Sequence, residues 1–399
     1  MDFSETKIEK SDSNCYQNKV DNDEKLNHLN QDKLSNNLEV YSLDPQDVHF
    51  RRGGSTRCSI KMRTSLVDDL HQLMPRVVTL EKNEQGQIKY NLKVPADELI
   101  NSTQFEFVRE ISSGGFGVVN LCKSNNLGNL PNGQEIAVKL FTRGNTGDGN
   151  RQLSNERLKS IESELNYVRI FKHPNIVEYY GILNPSTGQI GFAMEYLDGG
   201  TVFEVLYSKN NIIPLEIRKM WCVQLVKAIA YLHEGCAPHR FIHRDIKTIN
   251  LLINKKDLSI RICDFGNVRE RTFSYYRLDN NGGSVRYISP ESLRVGSFIN
   301  DKTDIWSIGC CIIEIFGGGI PYSKFSDENT LISMIRKGTS PEIPSFFPSC
   351  LKKLCSKCLQ SNPNVRPNIQ NLLKDIISLD IGVLKKSKLG KLDKYPKVY

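Results

Sequence analysis

His243-Arg244-Asp245-Ile246-Lys247-Thr248-Ile249-Asn250 and, one apolar run later, Asp264-Phe265-Gly266 gather carboxylates, basic side chains and an amide among aliphatic residues. A polar loop with two buried carboxylates is one way to read such a stretch. It is a costly one, because charges taken out of water need a counter-charge, a metal or a phosphate beside them. The residues upstream and downstream decide which.

Upstream, Ile111-Ser112-Ser113-Gly114-Gly115-Phe116-Gly117-Val118-Val119 lies between two strand-like segments. Glycines let backbone N–H groups approach a polyphosphate, since no Cβ stands in the way. Taken alone the pattern describes an ordinary tight hairpin equally well. It opens no helix, which argues against a dinucleotide-binding Rossmann turn. Ala137-Val138-Lys139 follows on a strand and Glu164 on a helix; downstream stands Ser289-Pro290-Glu291. In this order and spacing the set resembles a eukaryotic protein kinase, over roughly residues 105–377.

The resemblance implies ATP and Mg²⁺, and it implies roles. Phosphoryl transfer is chiefly positioning and charge stabilisation. Lys139 would hold the α- and β-phosphates, oriented by Glu164. Glu164 stands nine residues before His173-Pro174-Asn175, the spacing the resemblance implies, and Glu162 is the poorer partner, about 200° round the helix from it. Asp264 and Asn250 would be the metal ligands, both offering the hard oxygens magnesium prefers. Asp245 would accept the proton of the acceptor hydroxyl, and Lys247 would steady the moving phosphoryl group. The loop Ile111, Ser112, Ser113, Gly114, Gly115, Phe116 and Gly117 would cover the phosphates. Val119, Ala137 and Leu252 would sandwich adenine. Met194, Glu195 and Leu197 would form the gatekeeper and hinge.

Lys247 and Gly283-Ser284 resemble serine/threonine kinases, so protein Ser and Thr hydroxyls are the expected acceptors. Tyr231–Pro238 and Arg286 resemble the tyrosine-kinase-like group. Pro321–Phe325 and Pro341-Glu342-Ile343-Pro344 resemble the upstream, MAP kinase kinase kinase-like enzymes, and the two subgroups are not separated. Arg366 is expected to pair with Glu291 as scaffold. Ser112 for glycine, Thr248 for a frequent proline and Ser289 for alanine depart from the family pattern, and none removes a charge. Arg244 before Asp245 suggests an activation segment ordered by phosphate. Of Thr272, Ser274, Tyr275 and Tyr276, the first two are the preferred acceptors, modified by the kinase itself, a neighbour or an upstream activating kinase. Solvated loop positions are the alternative reading.

The expected fold class is α+β: a bilobal protein kinase fold with a small β-rich N-terminal lobe and a larger helical one. Phe105–Glu110, Val118–Cys122, Ile136–Phe141, Val177–Leu183 and Ile190–Tyr196 read as strands. Leu158, Ile161, Leu165, Val168 and Phe171 predict a helix over Glu156–Phe171. Ile217, Met220, Trp221, Leu225, Ala228, Ile229 and Leu232 predict another, capped at Gly235. Residues 1–64 read as a disordered polar segment. Residues 65–103 form an extension with a β-hairpin over 76–94, residues 104–380 the kinase domain, and 381–399 a basic tail.

Composition excludes other classes. The chain is 39% hydrophobic and 25% charged, enough apolar residue for a sizeable core. It has no apolar run of membrane-spanning length and no secretory pattern at its start, and Asp2 stands where N-myristoylation needs glycine. Eleven scattered cysteines suggest reduced thiols, hence a soluble cytoplasmic protein, or alternatively a nuclear one. Cys350, Cys355 and Cys358 fall on an apolar helical stretch and read as packed thiols, not a metal cluster. Cys263 is either a packed thiol or a reactive one facing the nucleotide. The net charge of +8 is uneven: residues 1–50 carry 11 acidic and 5 basic side chains, while Lys385, Lys386, Lys388, Lys391, Lys394 and Lys397 crowd the C-terminal end. Solvated tails explain this; nucleic-acid or anionic-membrane binding by the lysine tail is the lesser alternative. A pseudokinase is the rival from another class, and the complete set Lys139, Glu164, Asp245, Asn250 and Asp264 argues against it.

Overall fold

The computed structural model describes residues 77–82, 88–114, 117–141, 155–184, 189–208, 211–236, 239–270, 285–294, 297 and 299–393. The expectations for residues 1–64, Thr272, Ser274 and Gly283-Ser284 lie outside the described residues, as do Gly115 and Phe116.

Alternating, β-branched segments build the N-terminal part. β1 (Val78–Lys82) and β2 (Ile88–Leu92) pair antiparallel. β3 (Leu99–Ile100), β4 (Phe105–Gly114), β5 (Gly117–Ser124), β6 (Glu135–Leu140), β7 (Tyr179–Leu183) and β8 (Gly191–Glu195) form a six-stranded sheet in the order β3-β7-β8-β6-β5-β4. Gly117 enters β5 at φ +124°, and a Cβ there would strike the Leu140 carbonyl, so only glycine serves. Ser112 sits in extended β4, so no glycine geometry is required of it.

Between β6 and β7 runs α1 (Asn155–Val168), which buries Leu158, Ile161, Leu165 and Val168. It stops three residues short of the predicted end. Arg169 turns away to a two-bonded ion pair with Glu98, and Phe171 enters an aromatic cluster with Phe241 and Phe265. β7 likewise starts two residues later than predicted, because Val177 donates to the Ile262 carbonyl instead (3.0 Å).

Helices take over downstream: α2 (Val202–Tyr207), α3 (Leu215–Ala230), α4 (Lys302–Ile313), α5 (Glu328–Arg336), α6 (Ser349–Cys358), α7 (Ile369–Ile377) and α8 (Ile381–Lys386). α3 passes into a wider turn over Tyr231–Gly235, so Gly235 closes that turn and does not cap the α-helix. α4 is buried on every side from Thr303 to Ile313, as an apolar helix with no polar face must be. Short strands β9 (Phe241–Ile242), β10 (Leu251–Ile253), β11 (Ile260–Ile262) and β12 (Arg269–Glu270) lie among these helices. β10 pairs with β11, and β12 with β9. One core joins α1, α3, α4, α6 and α7 to the inner faces of the sheet. The architecture is the expected α+β one, strands first and helices after. No helix among the described residues is long and apolar enough to cross a membrane.

Candidate active site

Strand register brings the first set together. Val119 lies opposite Lys139 across β5–β6, and Ala137 opposite Met194 across β6–β8. Residues two apart share a face, so Val119, Ala137, Lys139 and Met194 line one side of the sheet. Ala137 and Met194 are buried, and Val119 partly so. From α1, Glu164 reaches Lys139: Nζ to Oε1 is 2.5 Å, with both side chains buried. Burial works against the lysine's charge, but the carboxylates of Glu164 and Asp264 outweigh it and hold its pKa above the ordinary value.

The second set comes from the β10–β11 ladder. Cys263 donates its N–H to the Asn250 carbonyl (3.0 Å), which puts Asn250 beside the residue preceding Asp264. Asp264 takes the left-handed conformation, φ +67°, and its Oδ1 stands 3.6 Å from Lys139 Nζ. Aspartate tolerates that backbone better than most residues. Burial would raise the Asp264 carboxyl; Lys139 and Lys247 overcome this and hold it below the usual range. The Cys263 thiol, by contrast, is pushed up to about 12, chiefly by burial, and its Sγ lies 3.5 Å from the Asn250 carbonyl. That favours the packed reading over the reactive one.

Asp245 and Lys247 complete the group. Lys247 Nζ is 2.9 Å from Asp245 Oδ2, and Asn250 Nδ2 donates to the Asp245 carbonyl at 2.9 Å. Asp245 is buried, and its N–H donates to His243 Nδ1 (3.3 Å). The loop is strained at Arg244, φ +68°, and the strain is held from below. Asp304, fully buried at the start of α4, accepts the N–H groups of His243 and Arg244, both at 2.9 Å, and lies 2.8 Å from His233 Nε2. Burial would raise the Asp304 carboxyl, yet His233 and these backbone donors keep it low.

The remaining predicted residues divide. Leu197 is buried; Leu252 is partly buried and bridges to Thr201. Glu195 spends its N–H on the Glu178 carbonyl and its carboxylate on Arg261 (3.1 Å), so its side chain turns to a neighbouring charge. Ile111, Ser112, Ser113 and Gly114 run along β4, with Ile111 exposed. Arg366 makes the expected pair, two bonds to Glu291 at 2.7 and 2.8 Å, and stacks over Trp306. Cys355 and Cys358 are packed in the core, whereas Cys350 is exposed.

Two supports escaped the sequence reading. His233 was one, although a histidine on the inward stripe of α3's continuation is a signal for a buried acid partner. The other is Glu314, which accepts from Tyr287 (2.6 Å), Thr248 (2.8 Å) and Tyr207 (2.9 Å) beneath the loop. Thr248, the departure from proline, therefore supplies one of that acid's donors.

Residues 105–376 match the protein kinase domain family. A probable serine/threonine-protein kinase of Dictyostelium discoideum is 28% identical over 284 residues, covering 70% of this chain and 29% of the relative. Mitogen-activated protein kinase kinase kinase 3 of Arabidopsis thaliana is 30% identical over 264 residues, 66% of this chain and 41% of that one. Mitogen-activated protein kinase kinase kinase 7 of Drosophila melanogaster is 28% identical over 275 residues, 69% and 37% respectively. The chain thus matches well under half the length of each of these relatives. With the family's motif residues gathered in one buried, ion-paired site, the chain belongs to the protein kinase family.

Proposed function

We propose that this chain is a serine/threonine protein kinase that transfers the γ-phosphoryl group of ATP to protein hydroxyls. The observation that carries the reading is the convergence of Lys139, Glu164 and Asp264 into one ion-paired cluster, with Asp245, Lys247 and Asn250 joined to it through the loop and the β10–β11 ladder.

Lys139, held charged by its two carboxylates, meets the α- and β-phosphates. Asp264, kept ionised by Lys139 and Lys247, is a hard oxygen donor for a divalent cation, and Mg²⁺ fits it best. Asn250 commits Nδ2 to the Asp245 carbonyl, which leaves Oδ1 as the oxygen for a second cation. Bound there, the metal supplies charge neutralisation on the phosphate oxygens. Asp245 Oδ2 orients the acceptor hydroxyl and takes its proton as the hydroxyl oxygen bonds to the γ-phosphorus and the bond to the β-phosphate oxygen breaks. Lys247, 2.9 Å from that oxygen, balances charge on the transferring group. Val119, Ala137, Met194 and Leu252 supply the apolar walls for adenine, and the Leu197 backbone the edge that bonds it.

Ser and Thr as acceptors rest on Lys247 and on the names of the relatives; regulation by an upstream kinase rests on Arg244 standing before Asp245. The experiment is incubation of the full chain with labelled ATP, Mg²⁺ and a degenerate peptide array. Label on Ser- or Thr-containing peptides is the expected result. No transfer to any peptide, with ATP still bound, would establish the pseudokinase reading in its place.

A further inference from the structure

α1 is held on two faces. On one, Glu164 meets Lys139, Ser160 Oγ donates to the Gly266 carbonyl (3.2 Å), and Arg269 donates to Ser163 Oγ (3.3 Å). The other face carries Glu162 and Asn166, each two residues and so about 200° from Glu164. Asn166 is buried and uses its whole capacity: Oδ1 accepts the N–H groups of Val77 (3.0 Å) and Val78 (3.2 Å), while Nδ2 donates to the carbonyls of Val78 (3.0 Å) and Glu162 (2.7 Å). Glu162 Oε1 accepts the Leu80 N–H at 2.5 Å.

The spacings explain why these two side chains serve. One edge of β1 is bonded to β2, so the N–H groups of Val78 and Leu80 point along the other edge. They are two strand residues apart, about 6.7 Å. Residues 162 and 166 are four helix residues apart, about 6 Å. The matched repeat lets an i, i+4 pair on the helix satisfy an i, i+2 pair on the strand edge, which would otherwise be left unpaired. Val78 and Leu80 are themselves buried in the core shared with Leu158, Ile161 and Leu165 of α1.

We propose that Glu162 and Asn166 are positioning residues: they lash α1 to β1 on the face opposite Glu164 and so keep Glu164 against Lys139. The need is physical. A buried lysine–carboxylate pair carries a desolvation cost, and a helix free to swing outward would return Glu164 to water. The β1 tether weights the equilibrium toward the paired arrangement without touching nucleotide or substrate. This rests on the kinase reading for its effect on rate, though not for its effect on the helix.

The test uses the full chain with Glu162→Ala, Glu162→Gln and Asn166→Ala. Amide exchange over residues 155–168, affinity for a fluorescent ATP analogue, and kcat and KM for ATP are measured. Glu162→Ala and Asn166→Ala should speed exchange in α1 and lower kcat/KM for ATP about tenfold. Glu162→Gln keeps the accepting oxygen and should behave as the parent chain does. The same alanine variants are then made in a Glu164→Gln background, where analogue affinity should fall no further. Unchanged exchange in α1, a Glu162→Gln variant as impaired as Glu162→Ala, or an equal loss of affinity with and without Glu164 would each overturn the proposal. A parent chain that transfers no phosphate defeats the kinase reading; the exchange and binding arms still judge the tether.

Discussion

Lys139 Nζ stands between two carboxylates, 2.5 Å from Glu164 on a helix and 3.6 Å from Asp264 after the β10–β11 ladder. A cation so placed is fixed from both sides before any phosphate arrives, which is the preorganisation that charge-stabilised transfer requires.

Removing either end of that arrangement should therefore cost rate. Glu164→Gln keeps the shape and deletes the counter-charge, leaving Lys139 to lean on Asp264. A fall in kcat of roughly 10²–10³ is expected, the size seen when one preorganised group is lost. Lys139→Met should abolish detectable transfer. Steady-state kinetics against the parent chain decides; near-normal kcat in either variant would remove the pair from the mechanism.

Asp245→Asn should separate binding from chemistry. The amide cannot take the acceptor's proton, so kcat should drop by about 10²–10⁴. The phosphate cradle is untouched, and ATP affinity by titration calorimetry should stay within about threefold.

Arg366 and Glu291 give a stability test with a pH signature. Burial would raise the Glu291 carboxyl, but two bonds and the charge of Arg366 hold it below the ordinary value. A depressed folded pKa means stability that is present above about pH 4.3 and lost as pH falls through the folded value. Arg366→Met should cost about 3–5 kcal/mol at pH 7, because it strands a buried carboxylate. The gap to the parent chain should narrow as pH falls. With Arg366 gone, burial raises the Glu291 carboxyl, so the variant sheds its penalty first, and the parent then loses its gain as pH falls through its own depressed folded value. Urea unfolding of both chains across pH 3–7 measures it.

Thr248→Val tests the departure from proline. Thr248 is fully buried, and its hydroxyl is one of three donors to Glu314. Valine fills the space and removes the donor, so about 1–2 kcal/mol should be lost in chemical denaturation. Thr248→Ser should recover most of it.

Regulation through the activation segment is checked by phosphatase treatment followed by an activity assay, with mass spectrometry of Thr272 and Ser274. Arg244 donates from its guanidinium to the Asn267 carbonyl at 3.5 Å. Loss of activity on dephosphorylation is expected; unchanged activity, after verified removal of phosphate from this segment, removes the switch.

The charged motifs were legible in sequence because their order and spacing resemble those of the protein kinase family: Lys139 on a strand, Asp245 two residues from Lys247, and Asp264 before Gly266. Glu164 is singled out by its family-like spacing before His173-Pro174-Asn175, and helical phase then sets Glu162 aside. Sequence pattern located the central strands and the helices α1 and α3 but misplaced their ends, and it left most of the later helices unassigned. Where α1 stops depends on Glu98 drawing Arg169 away, and where β7 begins on Ile262 claiming Val177, both distant in sequence. Only the folded chain shows Asp304 holding His243 and Arg244 from sixty residues away, or Asn166 clasping β1 across eighty-eight. Those bonds join groups whose sequence neighbourhoods carry no trace of each other. A buried polar atom takes whichever partner packing brings within reach, and that choice belongs to the tertiary structure.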